Sequence, residues 1–261
     1  VSIEISHQGY TLHRERVSLE KGENKLKTIL LYPIGEITSH SYNLESNETQ
    51  VYSWLIGSEK QVTILTLPDE CIEVKRVSTI TVYKCSNNFF EFDNAEGRLI
   101  GSVSYTGVLS DYSLANQVVF FVDRKGSRIA KTALRDSEKV PLFSLEDEVI
   151  SSILSAQDGN VLYTTNSGVF LTDKDGMDTK KLTDGRFTLM AENNNIAILA
   201  NRRADGTSTL WKLDTDSGET NKLTELPTKI SNVKFINRSR IVYLSQSHSS
   251  SNLMSIDLEV D

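Results

Sequence analysis

Residues 160–184 read NVLYTTNSGVFLTDKDGMDTKKLTD, and the same pattern returns at residues 195–226 as NIAILANRRADGTSTLWKLDTDSGETNKLTEL. Each copy has an apolar strand, a polar turn, a second strand that ends in Asp, an Asp/Gly turn and then Lys-Leu-Thr. The Asp that ends the second strand recurs after 41 residues, at Asp173 and Asp214. A repeat of this length that is built only from short strands is typical of β-propeller blades.

The same spacing extends over most of the chain. Strands that would stand second in each blade fall at residues 51–56, 79–84, 117–122, 160–165, 195–200 and 240–245. The third strands end at or near Asp69, Asp93, Asp136, Asp173, Asp214 and Asp257, with steps of 24, 43, 37, 41 and 43 residues. The first step is too short for a blade, so either the first blade has lost a strand or Asp69 is not equivalent. We predict an all-β chain with a six-bladed β-propeller, and five or seven blades are also compatible with the spacing. In it, we expect four strand residues to be buried between blades: Val161, Tyr163, Ile196 and Ile198.

Ring closure needs a further strand, because the chain ends three residues beyond Leu258, before any fourth strand of the sixth blade. An unpaired strand edge invites aggregation, so a propeller closes its ring. Residues 37–44 hold one candidate strand within a polar, Ser/Asn-rich stretch. We expect this segment to supply the missing outer strand.

Residues 1–33 read VSIEISHQGYTLHRERVSLEKGENKLKTILLYP and alternate apolar with polar residues in three short runs. The segment resembles the second half of a PEGA domain, a small β-sandwich module of prokaryotic cell-surface proteins. The resemblance rests on Gly9-Tyr10, Arg16-Val17-Ser18-Leu19, Gly22-Glu23 and Leu30-Leu31-Tyr32-Pro33. The first strands of the module, with the Pro-Glu-Gly-Ala-like turn that names it, are absent. The resemblance implies an upstream part that completes the sandwich and carries a membrane anchor. We therefore divide the chain into a partial PEGA-like module (1–33), a linker and candidate donor of a closing strand (34–50), and a propeller (51–261).

The two clear repeats, at residues 161–183 and 196–224, resemble TolB-type propeller blades, in which the third strand ends in Asp, followed by Asp/Gly and a Leu-Thr pair. The first repeat carries this motif at Asp173-Lys174-Asp175-Gly176 and Lys181-Leu182-Thr183. The second carries it at Asp214-Thr215-Asp216-Ser217-Gly218 and Lys222-Leu223-Thr224. Such blades occur in periplasmic binding proteins, in surface proteins and as gating domains of dipeptidyl-peptidase-like enzymes.

The composition excludes some classes of partner. A net charge of −7 and a pI of about 5.3 argue against a nucleic-acid binder, which would show a basic patch or stripe. They also argue against docking on anionic lipid through a polybasic surface. No run of about 18 apolar residues is present, so a membrane would be reached only through a missing upstream anchor.

The sequence contains no catalytic apparatus that we recognise. A serine hydrolase of the gating-propeller type needs Gly-x-Ser-x-Gly followed by an acid and a His. The nearest match, Gly101-Ser102-Val103-Ser104, has the wrong spacing and falls in a predicted strand. The four histidines lie before the propeller or in a Ser-rich loop, at His7, His13, His40 and His248. We expect the chain not to be an enzyme.

Two Asp-rich turns look like calcium loops, because hard cations bind several carboxylate oxygens on a short turn. They hold Asp173, Asp175 and Asp178 in one repeat and Asp214, Asp216 and Glu219 in the other. Neither follows the EF-hand order. Asp and Gly also accept the backbone angles of hairpin turns, and recurrence of the same Asp favours that structural role. We therefore expect no metal and no cofactor.

Two tryptophans and two cysteines complete the candidates. Trp54 and Trp211 could stack on a ligand, but the alternation around Trp211 favours packing between blades. Cys71 and Cys85 lie symmetrically about Ser78, which places them opposite each other in a hairpin. They would then have Cα atoms less than about 7 Å apart and could form a disulfide. The alternative is two buried free thiols.

The sequence thus predicts a non-catalytic protein of the cell envelope, on its extracellular or periplasmic side, whose propeller binds a protein or glycan partner. In the main alternative, the propeller gates a catalytic domain outside this chain. A structural spacer without a ligand is the third class.

Overall fold

The computed structural model describes residues 2–5, 13–16, 36–55, 61–77, 80–93, 98–113, 115–134, 140–145, 148–204, 206–246 and 251–258. Every regular secondary-structure element within these residues is a β-strand. These residues contain no helix that is long and apolar enough to cross a membrane. A two-stranded antiparallel sheet of β1 (Ser2–Ile5) and β2 (His13–Arg16) precedes six further sheets.

The six sheets are antiparallel blades of three or four strands. Their strands, in chain order, have the following bounds. The first blade holds β3 (Glu36–Asn43), β4 (Glu48–Leu55) and β5 (Gln61–Pro68). The second holds β6 (Cys71–Val77), β7 (Ile80–Cys85), β8 (Asn88–Asp93) and β9 (Arg98–Ser104). The third holds β10 (Leu109–Ser113), β11 (Val118–Val122), β12 (Arg128–Ala133) and β13 (Val140–Ser144). The fourth holds β14 (Ser152–Ser155), β15 (Val161–Thr164), β16 (Gly168–Thr172) and β17 (Thr179–Asp184). The fifth holds β18 (Thr188–Asn193), β19 (Ile196–Arg202), β20 (Ser208–Asp214) and β21 (Thr220–Leu226). The sixth holds β22 (Lys229–Asn237), β23 (Arg240–Gln246) and β24 (Ser251–Asp257).

The blades form a ring around their innermost strands. β3, β6, β10, β14, β18 and β22 lie side by side in that order, and β22 lies beside β3 again. The prediction of a six-bladed all-β propeller is confirmed. We call the end of the ring at which β6, β10, β14, β18 and β22 begin the front face. It also carries the turns between second and third strands, while the opposite back face carries the turns between third and fourth strands.

The first blade departs from the regular pattern. β5 leads through Asp69 and Glu70 directly into β6, and the Asp69 amide donates to the Asn47 carbonyl (3.0 Å) at the front face. Asp173, by contrast, follows the third strand of its blade on the back face, so Asp69 is not its equivalent. By direction, β3, β4 and β5 match the second, third and fourth strands of a regular blade. Residues 51–55 thus stand second in the sheet order β3-β4-β5, as predicted, but they run in the direction of a third strand, because a period-two pattern does not encode strand direction.

Residues 34–50, expected to be a linker, contain β3 and the start of β4. β3 pairs with β4 from Glu36 opposite Leu55 to Asn43 opposite Glu48. The expectation that this segment forms the outer strand of the sixth blade is therefore wrong, since it is the inner strand of the first. Its polar sequence concealed it, because the hydrogen-bonded ladder with β4 holds the strand in place.

The core lies between the blades. Val161, Tyr163 and Ile198 are at most 1% exposed, as predicted, whereas Ile196 is half-buried and packs at the edge of its cluster. Tyr163 contacts Phe143 on the outer strand of the preceding blade, with ring centroids 5.2 Å apart. Burying such side chains contributes about 1.5–3 kcal/mol each relative to exposure. The alternating side chains of each strand therefore hold neighbouring blades together.

The repeated motif is explained by contacts between consecutive blades. A Cβ built on Gly218 would lie 2.5 Å from the Leu182 carbonyl oxygen, on the outer strand of the preceding blade. One built on Gly176 would lie 3.0 Å from Leu142, at the corresponding place one blade earlier. The Asp/Gly turn of one blade thus sits directly on the outer strand of the blade before it. The close approach of that outer strand explains why glycine recurs at this place in both turns.

Cys71 and Cys85 form a disulfide. The two residues are paired opposite each other on β6 and β7, with Cα atoms 4.1 Å apart. The predicted hairpin and Cα distance are confirmed, and the alternative of two free thiols is wrong. Both cysteines are buried beside Val51 and Tyr83, at the boundary between the first and second blades.

The N-terminal prediction is only partly within the described residues. A strand is confirmed at Ser2–Ile5, and its partner is His13–Arg16. The segments at residues 17–19 and 26–31, on which the PEGA resemblance also rests, lie outside the described residues.

Candidate functional site: the channel network and the rim turns

The inner surface of the ring holds an ion pair that spans three blades. Lys75 on β6 lies with its Nζ 3.0 Å from the Asp111 Oδ2 on β10. The same Nζ donates to the Ser155 carbonyl on β14 (2.9 Å). Asp111 Oδ2 in turn accepts the Ser155 amide (2.6 Å). The side chains are 21% and 8% exposed for Lys75 and Asp111, so this closed triangle is largely shielded from water.

Glu192 extends the network into the fifth blade. Its Oε2 accepts the amide of Gln157, in the turn that follows β14 (2.9 Å). Burial raises the pKa of Glu192, and the Gln157 amide and the positive charge of Lys75 oppose that rise. The inner strands of the second to fifth blades are thereby joined by charged hydrogen bonds, which are stronger than neutral ones. We call Lys75, Asp111, Ser155, Gln157 and Glu192 the channel network.

The charged groups of this network are bonded to one another across the blades. Each of the groups in the triangle already has partners, so Lys75 is not an unpaired nucleophile and Asp111 is not an unpaired base. Ser102, the nearest match to a hydrolase serine, lies in β9 as predicted. His40 lies on β3, where burial lowers its pKa and Glu70 partly offsets that effect. The side chains of the other three histidines are outside the described part of the chain.

The Asp-rich turns are held by their own backbone. Asp173 Oδ1 accepts the amides of Met177 (2.7 Å) and Asp178 (3.3 Å). Asp214 Oδ1 accepts the amides of Ser217 (2.7 Å) and Asp216 (3.0 Å). The Ser217 amide is the main cause that lowers the pKa of Asp214. This geometry supports the structural interpretation of the recurring Asp.

Lysines from the preceding blade complete both turns. Lys131 donates to the Lys174 carbonyl (2.9 Å) and to Asp175 (2.7 Å), which lowers the pKa of Asp175. Lys180 donates to the Asp216 carbonyl (2.6 Å) one blade later. A cavity of about 230 Å³ lies at the first of these contacts and is lined by Asn116, Val118, Phe120, Lys131, Lys174 and Asp175. Within the described ranges, no three Asp, Glu, His or Cys side chains converge as a metal site would require. The expectation that the turns bind no metal remains a prediction.

Trp211 packs between blades, as predicted. It lies against the cluster shared by the fourth and fifth blades and makes an edge contact with Phe187, with ring centroids 6.1 Å apart. The Trp54 side chain lies outside the described residues. Sequence reasoning missed the channel network, because Lys75, Asp111 and Glu192 are single charged residues on strands far apart in the chain.

Comparison with known proteins identifies the fold and no closer relationship. No protein-family model matches the chain, and no curated protein does. Among solved structures, TolB from Acinetobacter baumannii matches with a TM-score of 0.63 at 18% identity, over 87% of this chain and 62% of that one. The chain thus spans less than two thirds of that TolB.

Two other solved propellers match at 14% identity. YCF48 bound to D1 peptide has a TM-score of 0.56 over 96% of this chain and 82% of that one. The β-propeller domain of the Trilobed protease from Pyrococcus furiosus, described as having an open velcro topology, has a TM-score of 0.55 over 86% and 76%. The chain therefore has the fold of a TolB-like six-bladed β-propeller.

Proposed function

We propose that this chain is a non-catalytic protein of the cell envelope whose propeller binds a protein partner on one face. The observation that carries the proposal is the charged network at the ring's inner surface. Lys75 and Asp111 are bound to each other and to Ser155, so these ionisable groups are engaged within the scaffold and leave the exposed turns as the surface for recognition.

The disulfide supports a location on the extracellular or periplasmic side of the cell envelope. Disulfides form and persist in oxidising compartments, such as the periplasm and the cell surface, and are rare in the cytosol. Cys71 and Cys85 are paired within the propeller itself. The PEGA-like pattern of residues 1–33 and a membrane anchor upstream belong to the same proposal.

The similar structures are consistent with partner binding. YCF48 was solved with a D1 peptide bound, so a propeller of this fold engages polypeptide. The Pyrococcus furiosus domain belongs to a protease, and this similarity is the support for the alternative of a substrate-gating propeller. That alternative requires a catalytic domain outside this chain. A glycan ligand and a spacer without a ligand are the remaining candidates.

Site-specific photo-cross-linking in the native cell tests the proposal. We would place a benzoylphenylalanine at Val149, which is 57% exposed on the front face, or at Met177, which is 87% exposed on the back face. We expect a discrete protein adduct from one of the two positions. Absence of any adduct at both positions, or modification of Cys71 and Cys85 that shows both thiols reduced in the cytosol, would contradict the proposal.

A further inference from the structure

Four exposed cationic side chains on the front face of the third to fifth blades have no ion-pair or hydrogen-bond partner in the part of the chain that the structure describes. Two lie in the turn between β11 and β12, one in the connection from β17 to β18, and one at the end of β19. They are Arg124, Lys125, Arg186 and Arg202. Unpaired cations are notable here because the chain as a whole carries a net charge of −7.

Two carboxylates on the same face, Asp123 and Glu148, already accept hydrogen bonds. Asp123 Oδ1 accepts the backbone amides of Ser127 (3.1 Å) and Arg128 (3.3 Å), so it holds its own turn. Glu148 accepts the Ser167 hydroxyl (3.1 Å). Its pKa is lowered chiefly by the hydroxyl of Thr165 and then by that of Ser167.

The two carboxylates further round the ring are paired with other cations. Asp184 lies 2.6 Å from Lys181 Nζ. Glu225 lies 2.6 Å from Arg203 Nη1 and 2.9 Å from Lys222 Nζ. Asp184 and Glu225 are therefore compensated by neighbouring cations, whereas the four exposed cations have no such partner among the described residues.

Two exposed valines flank the turn that carries the first two cations. Val108 donates its amide to the Val122 carbonyl (2.9 Å), immediately before that turn. The Gly126 carbonyl, at the end of the turn, accepts the amide of Ile150 (2.8 Å), which places Val149 on the other side. Val108 and Val149 are 52% and 57% exposed. Aliphatic and cationic side chains thus alternate across this part of the front face.

We propose that this front surface, defined by Val108, Arg124, Lys125, Val149, Arg186 and Arg202, binds an acidic polypeptide segment of the partner that also carries apolar side chains. The proposal rests on the proposed function and adds the face and the chemistry of the partner. Carboxylates of the segment pair with the cations, and its apolar side chains cover the valines. Complementary charge at an interface accelerates association and suppresses wrong partners.

A polypeptide suits this surface better than a nucleic acid or a lipid headgroup. Nucleic acid is bound by a continuous basic stripe that follows the phosphates, whereas here valines stand between the cations. Docking on anionic lipid takes a cluster of four to eight Lys/Arg. The four cations here are spread over three blades and have carboxylates between them.

The test uses the full chain and a defined probe, a random copolymer of glutamate and tyrosine, which supplies carboxylates and apolar groups together. Its Kd would be measured by fluorescence anisotropy for the native chain and for the double variant Arg124→Glu/Lys125→Glu. We expect the double variant to bind about tenfold more weakly, since each exposed pair contributes up to about 1 kcal/mol and reversal adds repulsion. Binding by the native chain should also weaken as salt rises.

A matched control on the back face changes the charge by the same amount. Lys174 and Arg238 are exposed there, so Lys174→Glu/Arg238→Glu should leave the Kd unchanged. An equal loss in both double variants would overturn the proposal, as would no binding of the copolymer by the native chain. Tighter binding of duplex DNA or of phosphatidylglycerol vesicles than of the copolymer would overturn it too. If Val149 yields a cross-linked protein while the copolymer fails, the partner chemistry is wrong and the proposed function stands.

Discussion

Replacing Gly218 by alanine tests the contact that generates the repeat. Gly218 has φ +81°, in the left-handed region, and its added Cβ would lie 2.5 Å from the Leu182 carbonyl oxygen and 3.4 Å from the carbonyl carbon. Two penalties result. The backbone angle costs an alanine about 1–2 kcal/mol. The clash with a backbone oxygen forces the two blades apart, and overpacking of this kind costs about 1–3 kcal/mol.

Gly206 provides a matched control. It has φ +88°, and nothing lies within 4 Å of an added Cβ. Gly206→Ala therefore carries the backbone penalty without the clash, and the lower entropy of the unfolded chain affects both variants equally. We expect Gly218→Ala to lower the free energy of unfolding by about 2 kcal/mol more than Gly206→Ala does.

Denaturant unfolding followed by circular dichroism and tryptophan fluorescence measures the difference directly. In thermal melts, about 2 kcal/mol corresponds to a Tm gap of roughly 4–8 °C for a domain of this size. Equal losses in the two variants would refute the reasoning, because the turn would then not rest on the preceding blade.

Three further predictions concern the disulfide and two carboxylates of the channel network. Replacing Cys71 and Cys85 by serine should lower the free energy of unfolding by about 3 kcal/mol, measured against the native chain with and without reductant. Asp111→Asn should cost about 3–5 kcal/mol in denaturant unfolding, because it leaves Lys75 without its counter-ion in a largely shielded site; a loss below about 1 kcal/mol would show the pair to be solvated. Burial raises the folded-state pKa of Glu192, so its ionised form destabilises the fold at neutral pH and the penalty disappears as pH falls through that pKa. Glu192→Gln should therefore raise the unfolding midpoint at about pH 7 and leave it nearly unchanged at about pH 4.

The sequence predicts the regular blades well for a physical reason. The turn glycines of the fourth and fifth blades, Gly176 and Gly218, each lie against the outer strand of the preceding blade, so the same glycine recurs in both repeats. The disulfide was predictable in the same way, because a hairpin places Cys71 opposite Cys85 in register.

The first blade shows where such reasoning fails. β3 has the polarity of a linker, and its place beside β6 and β22 at the inside of the ring is a tertiary contact that no local pattern records. The channel network was missed because Lys75, Asp111 and Glu192 come from three separate blades. Asp111, a charged residue on a short strand just before an apolar one, is the one local signal that could have indicated it.

Hydrogen–deuterium exchange with the glutamate–tyrosine copolymer tests most directly whether the front face is the binding surface. The account predicts slower exchange at residues 123–127, 185–187 and 202–204 when the copolymer is bound, with the back-face turn at residues 173–178 unchanged. Protection confined to residues 173–178, or no protection at any of these turns under saturating copolymer, would contradict it.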